Sequence, residues 1–316
     1  MRIYVYGEKN SNLDVVLPYL AYEKISDIPD DVLRIAISEK ILKYDINNKV
    51  VPGDRFALIT GELLELKNES LKYIKILEDN IDYLKRTFKS SSLYKQGYTW
   101  DELQHIIIFG LCLDFGILKK LYSKGVIEKL ERKYYLWGFD SSIETENPFG
   151  IKLWLSKFYK MGFAQLWNPS IECKDINLND KCLDILYSIN NTDEIIEMDS
   201  KSLLILKYYG LIDEEQCKYR ILIPIIDQDE DSEFYNCIDK ICLKIVEEVT
   251  LPNLDKYDST PVFRHGIVRL LMEFCSDLLI QNNLVAPFNS ITKPYQRSWL
   301  FTNLYKSDCI ANKLDY

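Results

Sequence analysis

Only two histidines, His105 and His265, are available for acid–base or metal chemistry in this chain of 316 residues. His105 stands in the apolar run Leu103–Phe109 and His265 follows Phe263-Arg264, settings that suit a hydrogen-bonded core or surface histidine better than a catalyst. Either could meet Cys112 or Cys275 to form a Cys–His nucleophile, but such pairs are recognised by geometry and nothing in the spacing brings them together. The catalytic residues are therefore unknown at this stage. The eight cysteines, 112, 173, 182, 217, 237, 242, 275 and 309, contain no CxxC pair. Several lie in apolar helical runs, as reduced buried thiols do. No metal site and no cofactor is expected, because phosphate-loop and dinucleotide fingerprints are both missing. Asp227-Gln228-Asp229-Glu230-Asp231-Ser232-Glu233 begins like a calcium loop. Ser232 stands where the sharp turn needs glycine, and Ile238 where a bidentate glutamate is needed. A solvated acidic loop is the plainer reading.

Two groups of residues could bind rather than react. Lys119, Lys120, Lys124, Lys129, Arg132 and Lys133 face only Glu128 and Glu131, a local balance of +4 with Tyr122, Tyr134 and Tyr135 interleaved. Lysine and arginine there could neutralise phosphates, and Lys119, Lys120, Lys124, Arg132 and Lys133 form the candidate nucleic-acid face. The plainer reading is a solvated helix face. The second group, Trp154, Phe158, Tyr159, Phe163 and Trp167, crowds residues 151–167. It reads as an amphipathic helix packed between units, or as an aromatic groove for a partner lined by Trp154, Phe158, Tyr159 and Trp167 with Lys152, Lys157 and Lys160 at its rim.

The elements that must position these residues are mostly helices. Glycine is scarce, 12 of 316, which disfavours doubly wound sheets and phosphate loops. Residues 69–88 give the clearest helix. Asn68 is its expected cap, Ile74, Leu77, Ile81, Leu84 and Phe88 form a stripe at three-then-four spacing, and Ser90-Ser91-Ser92 ends it. The stripe could pack on the chain's own core or pair two copies into a homo-oligomer. A second pattern is an internal echo. Leu118-Lys119-Lys120-Leu121-Tyr122-Ser123-Lys124-Gly125-Val126-Ile127-Glu128 matches Leu203-Leu204-Ile205-Leu206-Lys207-Tyr208-Tyr209-Gly210-Leu211-Ile212-Asp213 at an offset of 85 residues. Each copy is a helix closed by a glycine in left-handed conformation, then two apolar residues, an acid and an extended run. Upstream, Asp180 is the expected cap of Lys181–Ile189, with helices Asp193–Met198 and Ser200–Tyr209 to follow. In the earlier copy Thr99 caps Trp100–Phe109 and Asp114 starts the next helix. Weaker echoes turn at Asn283, in Leu278–Val285, and near Asn48, in Ile41–Val51 ahead of a strand at Arg55–Thr60.

This order resembles the winged-helix superfamily over residues 98–140 and 178–227: recognition helix, turn, strand, wing, strand. The resemblance implies tandem winged-helix-like units with small β-wings inside a mostly helical α+β chain. Members of that superfamily mostly bind DNA, and many bind RNA, peptides or proteins. The expected organisation is a helix/strand unit at 1–66, the long amphipathic helix at 67–92 and a winged-helix-like unit at 93–150. An aromatic helix plus a second such unit follows at 151–235, then a helical unit at 236–316.

Net charge sets the order of functions. At −9 the chain opposes broad coating of nucleic acid, since phosphates repel an acidic surface. The leading expectation is a non-enzymatic regulatory or interaction protein with a protein or peptide partner. A winged-helix nucleic-acid regulator and an enzyme or accessory subunit of unrecognised type are the alternatives. Met1-Arg2-Ile3-Tyr4-Val5-Tyr6-Gly7 reads as a strand rather than a signal peptide, and no apolar run is long enough to span a membrane. A cytoplasmic protein without a membrane partner is expected.

Overall fold

The computed structural model describes residues 2–7, 28–38, 42–52, 57–58, 60–127, 134–139, 145–155, 161–172, 176–191, 199–215, 218–227, 232–248 and 261–302. The chain is a mostly helical α+β protein. The helical body contains α1 (Asp30–Ser38), α2 (Thr60–Phe88), the short α3 (Ser92–Lys95), α4 (Trp100–His105), α5 (Ile117–Ser123), α8 (Ser232–Glu248) and α9 (Pro261–Gln281). Between α4 and α5 the chain winds as a π-helix over Ile106–Gly116. Helix α2 packs against α9 and α8, and its stripe Ile74, Leu77, Ile81, Leu84 and Phe88 is buried there. Of the two readings of this stripe, packing on the chain's own core is the one found, and the chain's own helices, not a second copy, cover it. The helix also begins nine residues before the expected start at 69, and Asn68 lies inside it. Leu63, Leu66 and Ser70, all buried, carry the stripe back by further turns, and Ser70 keeps its place by donating to the Lys67 carbonyl at 2.6 Å.

Strands β1 (Arg2–Gly7), β5 (Tyr134–Phe139) and β4 (Ala57–Leu58) form one sheet in the order β1-β5-β4. Strands β2 (Leu42–Tyr44) and β3 (Val50–Pro52) form a hairpin, whose turn places Asn48 at φ +58°. The Asn48 echo is therefore a hairpin turn and not a helix end. A second hairpin, β6 (Gly150–Leu155) and β7 (Met161–Trp167), replaces the helix expected over 151–167. Its burial has period two. Ile151 and Leu153 are buried while Lys152 and Trp154 are half-buried, and a helix cannot separate neighbours in that way.

The hairpin belongs to a four-stranded sheet, β10-β11-β7-β6, with β10 (Ile225–Asp227) and β11 (Ser298–Thr302). That sheet divides two cores. Ile151, Leu153, Ala164, Leu166, Ile226, Trp299 and Phe301 face the large helical core. Trp154, Met161, Phe163, Ile225 and Leu300 face a smaller core made with α6 (Asp180–Asn190), α7 (Ser200–Tyr208) and the hairpin of β8 (Ile212–Glu215) and β9 (Lys218–Ile221). Burial on both faces explains why β7 reads as a near-continuous apolar run, which periodicity alone cannot tell from helix.

The first repeat departs from the expected unit. From Trp100 to Ser123 the chain is helical without a break, so Asp114 sits inside the π segment and starts nothing. Strand β5 pairs with β1 and β4 instead of folding back as a wing. The second repeat keeps the expected order among its described residues: α6, α7, a glycine turn, then the β8/β9 hairpin. The expected helix over Asp193–Met198 lies outside the described residues.

Candidate interaction site

The second repeat is built from its caps. Asn179 rather than Asp180 caps α6, accepting from the Cys182 amide at 2.9 Å. Asp199 caps α7, accepting from the Ser202 hydroxyl at 2.6 Å and the Ser202 amide at 2.9 Å. These bonds, with Lys181 and Lys201 nearby, hold the Asp199 carboxyl below its ordinary range. At the other end Gly210, at φ +66°, donates to the Lys207 carbonyl and the Leu211 amide to that of Leu206, the paired bonds of a Schellman end. The chain then reverses through β8 and β9. Lys207 ties helix to hairpin, 2.5 Å from Glu214 and 5.1 Å above the Tyr219 ring.

Helix α7 turns Ser202 and Leu206 into the small core. Its other face carries Lys201, Leu204 and Tyr208, with Leu204 67% and Tyr208 65% exposed. Two large apolar side chains one helical turn apart stand in water on the helix that would be the recognition helix of a winged-helix unit. The unit is tied to the helical body through the chain that follows β9. Tyr98 donates from its hydroxyl to the Leu222 carbonyl at 3.1 Å, and Gln96 binds the Ile225 backbone. Burial, helped by Tyr295 and Glu102, pushes the Tyr98 phenol up to about 12, so it remains a donor at any ordinary pH.

The structure brings the other candidates together only in part. Lys120 pairs with Asp239 and Lys124 lies 2.7 Å from Glu247, both on α8. Lys119 is half-buried beside them, and Arg132 and Lys133 lie outside the described residues. Two of the basic groups are thus matched by carboxylates of the same chain. Trp154 and Trp167 lie on the same face of the β6/β7 hairpin, four residues apart in register, with Lys152 and Gln165 between them. Phe158 and Tyr159, with Lys157 and Lys160, lie outside the described residues, as do Gln228, Asp229, Glu230 and Asp231 of the acidic loop.

The candidate nucleophiles are placed as structural groups. His105 is buried and its Nε2–H donates to the Ala286 carbonyl at 2.8 Å, while Gln104 Oε1 accepts from the Ala286 amide at 2.9 Å. Burial drives the His105 imidazole down to about 4 against the opposing pull of that bond, so the ring is neutral at pH 7. His265 Nε2 lies 3.3 Å from the Tyr122 hydroxyl. Cys112 and Cys275 are fully buried free thiols. Cys112 is held well above the ordinary thiol range by its hydrogen bond with Cys242 and by burial, and Cys275 by burial. Neither is a thiolate at neutral pH, the form nucleophilic attack needs. Among the described residues no group of three or more His, Cys, Asp or Glu side chains is placed to hold a metal ion.

Sequence reasoning missed a buried polar stripe along α9. Arg269, Glu273 and Asp277 recur every four residues, on one face. Arg269 grips Asp114 of the π segment at 2.6 and 3.3 Å. Glu273 accepts from the Thr145 hydroxyl at 2.8 Å, and Asp277 accepts from the Glu146 and Asn147 amides and the Asn147 side chain. The stripe pins the segment that enters β6. Its signal was present in the sequence: Arg269, Glu273 and Asp277 stand at four-residue spacing within the largely apolar run Ile267–Ile280. Comparison with known proteins finds no family model, no curated protein and no solved structure that matches this chain.

Proposed function

We propose that this chain is a non-enzymatic intracellular interaction protein that engages a protein or peptide partner through the outer face of α7 and the hairpin that follows it. The observation that carries the reading is the exposure of Leu204 and Tyr208 together on a short helix held rigid by its cap, its Schellman end and the Lys207 tie. Exposed apolar residues on a preorganised face gain free energy when a partner excludes water from them, and each fully buried side chain of this size contributes roughly 1.5–3 kcal/mol. Phosphates would gain nothing from Leu204. The chain's −9 charge and the pairing of Lys120 and Lys124 with α8 further favour a protein over a nucleic acid.

The test compares wild type with Leu204→Glu/Tyr208→Glu in quantitative affinity capture, alongside titration with duplex DNA and structured RNA at low and moderate salt. The reading expects proteins retained by wild type and lost from the variant, with no salt-sensitive nucleic-acid binding. Identical captures would sink it. Tight, steeply salt-dependent nucleic-acid binding would replace it with the regulator reading.

A further inference from the structure

The charges around Leu204 and Tyr208 are unevenly set. Within Ser200–Tyr208 the only charged residues are Lys201 and Lys207, both exposed, one before and one after Leu204. Three residues away on either side, they border the face that Leu204 occupies. Lys207 is committed to the hairpin through Glu214. There Asp213, Glu214 and Glu215 are offset by Lys207, Lys218 and Arg220, so the C-terminal end of the face is close to neutral.

The N-terminal end differs. Helices α6 and α7 start side by side, with the Ser202 hydroxyl 3.5 Å from Asn179 Oδ1 and the Cys182 thiol 3.9 Å from the Ser202 carbonyl. That contact brings the exposed Lys181, in the first turn of α6, to the same end as Lys201. Both lysines lie near Asp199, whose carboxylate is held by the Ser202 hydroxyl and amide. Among the described residues neither ammonium is within ion-pair distance of a carboxylate. Of the other acids on this part of α6, Asp180 is engaged elsewhere and Asp184 is half-buried a turn further on. Two cations thus share one carboxylate, and this end of the face is positive on a chain of charge −9.

Resting on the reading of α7 as the contact face, we propose that its occupant is a short acidic amphipathic segment of a partner protein, whose apolar residues cover Leu204 and Tyr208 and whose carboxylates gather at the Lys181/Lys201 end. A small positive region on an acidic molecule selects by size. Exposed charges are screened beyond about 8 Å at physiological salt, so a short segment meets only the local lysines. A duplex or an anionic bilayer extends further and meets the chain's excess carboxylates. The apolar contacts supply most of the affinity, and the lysines set orientation and association rate.

Selection of a displayed library of random peptides on the whole chain tests this, with Leu204→Glu/Tyr208→Glu and Lys181→Glu/Lys201→Glu as counter-targets. Peptides retained by wild type and lost on the first variant should be rich in Asp and Glu beside Leu, Phe and Trp. Titrated by fluorescence anisotropy, they should bind the Lys181→Glu/Lys201→Glu chain about tenfold more weakly and lose affinity as salt rises. Lys181→Gln/Lys201→Gln should fall between, with the circular dichroism of every variant unchanged. Peptides that depend on Leu204 and Tyr208 but show no acidic excess, or that charge reversal leaves at full affinity, overturn the acidic partner and leave α7 as the contact face. Recovery of no peptide that depends on Leu204 and Tyr208 overturns both. Tighter binding to duplex DNA or anionic vesicles than to the selected peptides, lost with Lys181→Glu/Lys201→Glu, overturns the acidic segment in favour of an extended polyanion.

Discussion

Replacing His105 should make the protein less sensitive to acid. In the fold the imidazole is neutral and donates to Ala286, with its pKa depressed to about 4 by burial. In the unfolded chain it titrates near 6.5. The unfolded state therefore takes up the proton first as pH falls. Stability is intact above about pH 6.5, is lost as pH falls between there and about 4, and levels off below. Integrating the two titrations gives a loss of about 2 kcal/mol between pH 7 and pH 5, approaching about 3 kcal/mol below pH 4. His105→Gln keeps a donor for Ala286 without a titrating ring. Urea unfolding of both proteins at pH 7 and pH 5 isolates the effect, because carboxylate titrations common to both cancel in the difference. Wild type should lose about 2 kcal/mol more than the variant. Parallel losses, within about 0.5 kcal/mol, would refute the argument, as would a His105 ring whose NMR shift titrates near 6.5 in the folded protein.

Two further substitutions probe the packing of the π segment. Gly116→Ala would place its Cβ 2.5 Å from Cys242 Sγ and 2.7 Å from the Leu111 carbonyl oxygen; a cost of about 1–3 kcal/mol is expected, read as a lowered Tm, and an unchanged Tm would show that the helix has room. Arg269→Met removes the partner of the buried Asp114 and should cost about 3–5 kcal/mol in thermal or denaturant unfolding, whereas the double variant with Asp114→Leu should recover most of it; a double variant no better than the single one would contradict the ion-pair account.

Much of the local structure was legible. Thr99 caps α4 in a reciprocal box with Glu102, and α2 ends at Phe88, just ahead of Ser90-Ser91-Ser92, where Ser91 caps the short α3. The turn glycines were legible because only a left-handed residue lets the last carbonyls of a helix be met by the chain that follows. Gly125, Gly210 and Asn283 all have positive φ. In each the residue after the turn donates back to a leucine, Leu121, Leu206 or Leu279. What failed were readings that need long-range partners. β7 is buried on both faces by elements distant in sequence, so its apolar run carried no period to read. The proposed interaction face was half legible: the repeat located α7, but only the fold shows that Leu206 turns inward while Leu204 and Tyr208 stay exposed. Gln96 closing the β10 edge joins residues 129 apart, and no local pattern announces it.

The internal echo marks how helices end, and the sequence beyond each turn decides what is built. After Gly210 the chain reaches Ile212, whose side chain enters the small core, and reverses at once into β9, so the hairpin completes a unit of its own. After Gly125 the next described strand is β5, which pairs with β1 from the chain's start and β4 from before α2. Ahead of each turn the contrast is as sharp. Helix α7 is capped by Asp199 as a separate short helix, whereas α5 continues the π segment, which Arg269 holds to α9 through Asp114. The same closing motif therefore serves a separately capped helix over the small core in one place and the end of a helix of the large core in the other. That difference explains why Leu204 and Tyr208 stay largely exposed while Lys120 and Lys124 are matched by α8, and it is why the proposed partner is assigned to the second repeat and not the first.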